Sequence, residues 1–96
     1  MIKSFRGKLA MDIYDGISSK ATRRFSKELH GKADRLLDQL NAVTKLDSLR
    51  VPPGNRLEGL KGDLKGFHSL RINNQWRIIF KWIDGNAYEV DIVDYH

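Results

Sequence analysis

The sequence predicts an α+β fold, a small antiparallel β-sheet with N-terminal helices packed on one face. Three observations predict it. Residues 20–43 repeat their apolar side chains at three- and four-residue steps, the signature of one helical face. Residues 67–93 change to period-two alternation, the signature of strands. Between them stands Pro52-Pro53-Gly54-Asn55, a turn that neither a helix interior nor a central strand accepts.

Taken in order, Ile2-Lys3-Ser4-Phe5 is short and suits an edge strand. Residues 8–14 place Leu9, Ala10, Ile13 and Tyr14 at helical spacing, and Asp15-Gly16 supplies the stop. The next helix spans residues 20–43. Its stripe is Phe25, Leu29, Ala33, Leu36, Leu40 and Val43, and Ser18 or Ser19 can cap its start. Gly31 lies off the stripe and costs about 1 kcal/mol against alanine. Lys20, Arg23, Arg24, Lys27, Lys32 and Arg35 crowd the first half of this helix. Such a charge run is a solvated face or a polyanion contact.

Strands are expected at residues 67–72, 75–83 and 87–93, joined by turns at Asn73-Asn74 and Asp84-Gly85-Asn86. With three-residue loops, one face collects His68, Leu70, Ile72, Trp76, Ile78, Phe80, Trp82, Tyr88, Val90 and Ile92. The opposite face collects Ser69, Arg71, Arg77, Lys81, Glu89, Val93 and Tyr95, with Lys81 beside Glu89 as a cross-strand pair. A slip of one residue would invert every side chain, and only the three-residue register separates apolar from polar so cleanly. The polar face is expected to be uncovered.

At 96 residues, 41% hydrophobic and 30% charged, the chain suits one soluble domain, residues 1–96. No stretch approaches the roughly 18 apolar residues of a membrane span. The start has no apolar signal segment, and a cytoplasmic location is expected. Without cysteine there is no thiolate catalysis and no cysteine-based zinc site. The formal charge of +5 favours polyanionic partners. Residues 1–50 carry 11 basic and 6 acidic side chains, whereas residues 51–96 carry 6 of each, so the excess sits on the helical half.

Histidines 30, 68 and 96 show no metal-ligand spacing, and no HExxH, P-loop or GxGxxG motif is present. No cofactor or metal is expected. What remains suits RNA cleavage without a metal. That chemistry needs a group to take the 2′-hydroxyl proton, a cation to hold the phosphorane and an acid for the leaving 5′-oxygen. Arg77 offers a fork of donors for phosphate, His96 suits proton transfer, and Tyr95 can stack on a base. Asp94 can orient or charge-stabilise His96. The same residues also suit a plainer account, with Arg77 an exposed strand arginine and Asp94 a strand cap.

Several segments together decide between these. They are Met1-Ile2-Lys3-Ser4-Phe5, Pro52-Pro53-Gly54-Asn55-Arg56-Leu57-Glu58, Leu60-Lys61-Gly62-Asp63, the stretch from Ser69 through Trp76-Arg77-Ile78, and Val93-Asp94-Tyr95-His96. In this order and at this length the chain resembles the HigB toxin family, within the wider RelE/ParE toxin superfamily. The resemblance implies a RelE-like fold and a ribosome-dependent mRNA endonuclease acting in the ribosomal A site. It implies a co-encoded helix-turn-helix antitoxin (HigA-like), through which alone the complex would reach operator DNA. It assigns phosphate binding to Arg77, catalytic roles to Asp94, Tyr95 and His96, and an RNA or rRNA contact to Lys61. Arg71, Arg56, Arg23, Arg24 and Lys27 complete the expected RNA- or ribosome-binding set. Several HigB toxins carry a histidine where this chain has Glu58. A carboxylate there can act as a base or simply bind Arg56 or Lys61. Two other functions stay open: a ParE-like, non-nucleolytic toxin inhibiting DNA gyrase, and a weakened toxin acting mainly through antitoxin binding. The ParE branch generally lacks the terminal Asp-Tyr-His run, and the weakened reading is motivated by Glu58.

Overall fold

Helices come first and the sheet second in the computed structural model, which describes residues 1–95. The expected catalytic residue His96 lies outside the described residues. The helices are α1 (Lys8–Asp15), α2 (Lys20–Arg24) and α3 (Lys27–Ala42). Four strands follow: β1 (Glu58–Gly59), β2 (Phe67–Arg71), β3 (Trp76–Ile83) and β4 (Asn86–Asp94). They form one antiparallel sheet in that order.

Helix α1 ends as the Asp15-Gly16 pair requires. Gly16 takes φ 70°, and the N–H groups of Gly16 and Ile17 donate to the carbonyls of Ile13 and Asp12. Ser19 caps α2 reciprocally. Its hydroxyl accepts from the Thr22 N–H at 3.2 Å, and its own N–H donates to the Thr22 hydroxyl at 2.8 Å.

The helix expected over residues 20–43 is in fact two. The chain leaves the helix at Phe25, with ψ 133°, and re-enters at Lys27. The Phe25 ring turns inward, edge-on to Trp76 at 5.2 Å and stacked on His30 at 5.5 Å. His30 Nε2 donates to the carbonyls of Thr22 at 2.9 Å and Phe25 at 3.0 Å, which satisfies acceptors the break releases. Periodicity could not see this, because Phe25 keeps the spacing of the stripe on either side of the break.

The β2–β3 register is the expected one, with His68 opposite Phe80, Leu70 opposite Ile78 and Arg71 opposite Arg77. Asn73 sets the turn by accepting from the N–H groups of Gln75 and Trp76. The β3–β4 turn differs. It has two residues, Asp84 at φ 51° and Gly85 at φ 79°, so Ile83 faces Asn86. A bulge at Glu89, φ 52°, then inserts the missing residue, and Ile78 meets Ile92 as expected. Between turn and bulge the faces are exchanged. Ala87 lies opposite Trp82 in the core, and Tyr88, expected there, lies opposite Lys81. The Lys81–Glu89 ion pair forms nonetheless, at 2.8 Å.

Residues 1–6 run parallel along the outer edge of β4 through bridges Ile2–Ala87 and Phe5–Val90. Gly7, where this segment turns into α1, leaves room for the Asp91 side chain. A Cβ there would lie 1.9 Å from the Asp91 carboxylate, which Arg6 Nε binds at 3.0 Å.

The main core joins Ala33, Leu36, Leu37 and Leu40 of α3 to Leu70, Ile78, Phe80, Val90 and Ile92 of the sheet. Each fully buried leucine contributes about 2 kcal/mol. The opposite face is not bare, contrary to expectation. Residues 60–66 fold over part of it, and Leu60 and Phe67 bury Ile79 in a second, smaller cluster edged by Leu64 and Val93. The Arg77 end lies beside this cover.

Candidate active site

Four strands bring the site together by register. Glu58 of β1 is the cross-strand partner of Ser69 in β2, so both side chains share one face. Arg71, two residues on, is the partner of Arg77, and Arg77 is the partner of Val93 in β4. Tyr95 follows Val93 by two residues and returns to that face. The strand β1 was not anticipated, and it delivers Glu58. The loop before it is tied to α3 by the buried Asn55, whose amide donates to Gln39 at 3.0 Å and whose side-chain carbonyl accepts from Arg35 at 3.2 Å.

Arg77 is the centre of the arrangement. Its Nη1 donates to Ser69 Oγ at 3.0 Å and lies 3.6 Å from Glu58 Oε2. Its Cζ lies 4.8 Å from the centre of the Tyr95 ring. The Arg77 side chain is 13% exposed, against 49% for Glu58, and Ser69 is fully buried. Among the described residues the polar contacts of the guanidinium run through Nη1. Among the described residues Nε and Nη2 enter no hydrogen bond, and a guanidinium's fork of donors has the fixed geometry that suits two phosphate oxygens.

Asp94 is placed differently. It is the partner of Trp76, on the helix-packed parity of the strand, and its carboxylate accepts from Gln75 Nε2 at 3.0 Å. Register therefore sets Asp94 apart from the Arg77 face.

The basic residues divide into two regions. Arg71 stands beside Arg77 and donates to the Asn74 side chain. Across the sheet end, Arg71 and Arg35 lie near enough to Lys32 to act on its charge. Partial burial first, then Arg71 and Arg35, hold the Lys32 ammonium below its ordinary pKa. Lys32 and Arg35 were seen in the sequence only as part of a helix charge run. That the charge of Arg71 reaches Lys32 is a consequence of the tertiary fold that no local spacing reveals. Exposed Lys61 opens the loop over the second face, and exposed Arg56, at φ 48°, precedes Glu58 by two residues. Arg23, Arg24 and Lys27 are exposed on the helical side. Arg23 and Lys27 line a cleft of about 480 Å³ between the helices, remote in the fold from Arg77 because the helices cover the other face of the sheet.

Ser69 is the site residue that sequence reasoning passed over. Its parity with Arg77 was visible, but nothing in the sequence marks a strand serine as a ligand of an arginine. Among the described residues no three His, Asp or Glu side chains gather as a metal-binding group, and no helix is long and apolar enough to cross a membrane.

A small antiparallel sheet backed by helices, with a buttressed arginine on its other face, defines a class, the RelE-like toxin fold. A point mutant of YafQ from E. coli shares it with a TM-score of 0.65 and 16% identity, over 98% of this chain and 93% of that one. So does the YoeB–YefM complex from Staphylococcus aureus, in which the matching chain has a TM-score of 0.53 and 19% identity, over 100% of this chain and 98% of that one. Within that class, the chain belongs to the HigB-like toxin family, RelE-like toxins of type II toxin-antitoxin systems, whose family model matches residues 3–96. Toxin HigB-1 of Vibrio cholerae is 39% identical over 87 residues, covering 91% of this chain and 90% of the relative. Endoribonuclease HigB of Proteus vulgaris is 34% identical over 100 residues, covering the whole of both.

Proposed function

We propose that this toxin is a metal-independent endoribonuclease that cleaves mRNA on the ribosome, with Arg77 as its phosphate-binding residue. One observation carries this reading: a largely buried guanidinium, hydrogen-bonded to Ser69, flanked by Glu58 and faced by Tyr95, with Nε and Nη2 in no hydrogen bond among the described residues. In such a reaction the 2′-oxygen attacks phosphorus and the bond to the 5′-oxygen breaks. Arg77 neutralises the charge that grows on the non-bridging oxygens. Proton transfer falls to His96 and Glu58, the first by residue chemistry and the second by its place beside Arg77. Tyr95, 42% exposed, offers a ring face to a base of single-stranded RNA. Arg71, Lys32, Arg35, Lys61 and Arg56 supply cations for the RNA backbone, and Arg23, Arg24 and Lys27 a separate contact to ribosomal RNA. The same reading makes the chain a single cytoplasmic domain neutralised by a helix-turn-helix antitoxin, with operator DNA bound through that antitoxin.

The test compares purified ribosome–mRNA complexes with free mRNA, and 5′ ends are mapped after incubation with wild type, Arg77→Ala and His96→Ala. Cuts confined to ribosome-bound message, slowed roughly 100-fold or more by Arg77→Ala, are expected. Full-rate cleavage by Arg77→Ala, or no cleavage by the wild type, would overturn the reading.

A further inference from the structure

We infer that Ser69 is a positioning residue that holds the Arg77 guanidinium ready for the phosphate, an inference that rests on the nuclease reading for its consequence but not for its geometry. Among the described residues three groups touch the guanidinium, and they are not equivalent. Glu58 is 49% exposed and 3.6 Å away, so water and salt screen it. Tyr95 is 42% exposed and offers a ring face, which attracts a cation without fixing its rotation. Ser69 is fully buried, and its Oγ accepts from Nη1 at 3.0 Å. It is the only one of the three that is both directional and shielded from water.

The position of Ser69 explains why it is polar. Its cross-strand partners are Glu58 and Ile79, and Ile79 is fully buried. A strand site packed beside Ile79 suits a β-branched apolar residue, and a serine there gives up packing. The hydroxyl is matched instead to the arginine that reaches over it. A long arginine side chain has many rotamers even where it is largely covered, and fixing one before the substrate arrives lowers the entropic cost of meeting the transition state. Ser69 thereby acts through Arg77 and touches no RNA itself.

The experiment uses the full chain, as wild type, Ser69→Ala, Ser69→Thr, Arg77→Ala and the Ser69→Ala/Arg77→Ala double variant. Three readouts are taken: cleavage of ribosome-bound mRNA, thermal melting, and NMR of the Arg77 side chain. Ser69→Ala is expected to lower kcat roughly tenfold with KM little changed, the effect of losing one hydrogen bond to a charged group. Ser69→Thr keeps the hydroxyl and is expected to restore the rate. In the Arg77→Ala background the Ser69 change is expected to add nothing. The separate Nη1 and Nη2 signals of a held guanidinium are expected to merge in Ser69→Ala while melting stays close to wild type. Wild-type kcat together with separate Nη signals in Ser69→Ala overturns the inference, and so does a further loss in the Arg77→Ala background. If the wild type does not cleave, the nuclease reading fails. The NMR comparison then decides positioning alone, merged signals upholding it and unchanged signals overturning it.

Discussion

Within β2 two adjacent residues meet opposite surroundings. Ser69 lies under Arg77, and His68 points to the helix side, its ring 5.7 Å from that of Phe80. Burial holds the His68 pKa below its ordinary 6.5, since the charged ring loses water it cannot replace. The folded state therefore binds this proton less readily than the unfolded chain. As pH falls through 6.5 the unfolded state gains the proton first, and stability is lost until the depressed folded pKa is passed. Between pH 8 and pH 5, His68→Gln is expected to lose less stability than the wild type in urea unfolding. Equal losses would show that His68 carries no part of the acid sensitivity.

The α2–α3 break, at the level of elements, shows what one side chain can do for a backbone. His30 reaches two carbonyls that a continuous helix would have paired internally. His30→Ala removes that donor and the ring on which Phe25 stacks. It is expected to cost about 1–3 kcal/mol, measured by chemical denaturation, and to loosen α2 first in hydrogen exchange. The β2–β3 pairing was legible in the sequence down to its register, because alternation over Trp76-Arg77-Ile78-Ile79-Phe80 admits one sensible pairing with β2. The Glu89 bulge was not, because a two-residue turn plus one inserted residue gives the same far register as a three-residue turn. The site was legible in part. Arg77 and Tyr95 share a face by parity, and Asp94 lies opposite Trp76 for the same reason. β1 stayed hidden because two residues carry no period, and Glu58 is read in place only once Ser69 is seen beside it.

Across the whole molecule, charge is unevenly spread over a body about 32 × 26 × 26 Å. Lys32 feels the charges of both Arg71 and Arg35, and none of the three enters an ion pair among the described residues. Their mutual repulsion opposes folding and favours a bound polyanion. Lys32→Gln is expected to raise Tm by roughly 2 °C at low salt, a gain that fades as salt screens the cluster. The same change is expected to lower the salt dependence of RNA binding by about one phosphate's worth. An unchanged salt slope would remove Lys32 from the RNA contact. The N-terminal segment adds an ordering in time. Ser4 and Arg6 bond Glu89 and Asp91, each pair 85 residues apart, and the ring that faces Arg77 belongs to Tyr95. During synthesis, the pairing of the first six residues with β4 and the Tyr95 ring over Arg77 both wait until residues 86–95 have been made. A growing chain of this toxin therefore carries an unfinished weapon, and the ribosome that makes it works beside a site that is not yet assembled.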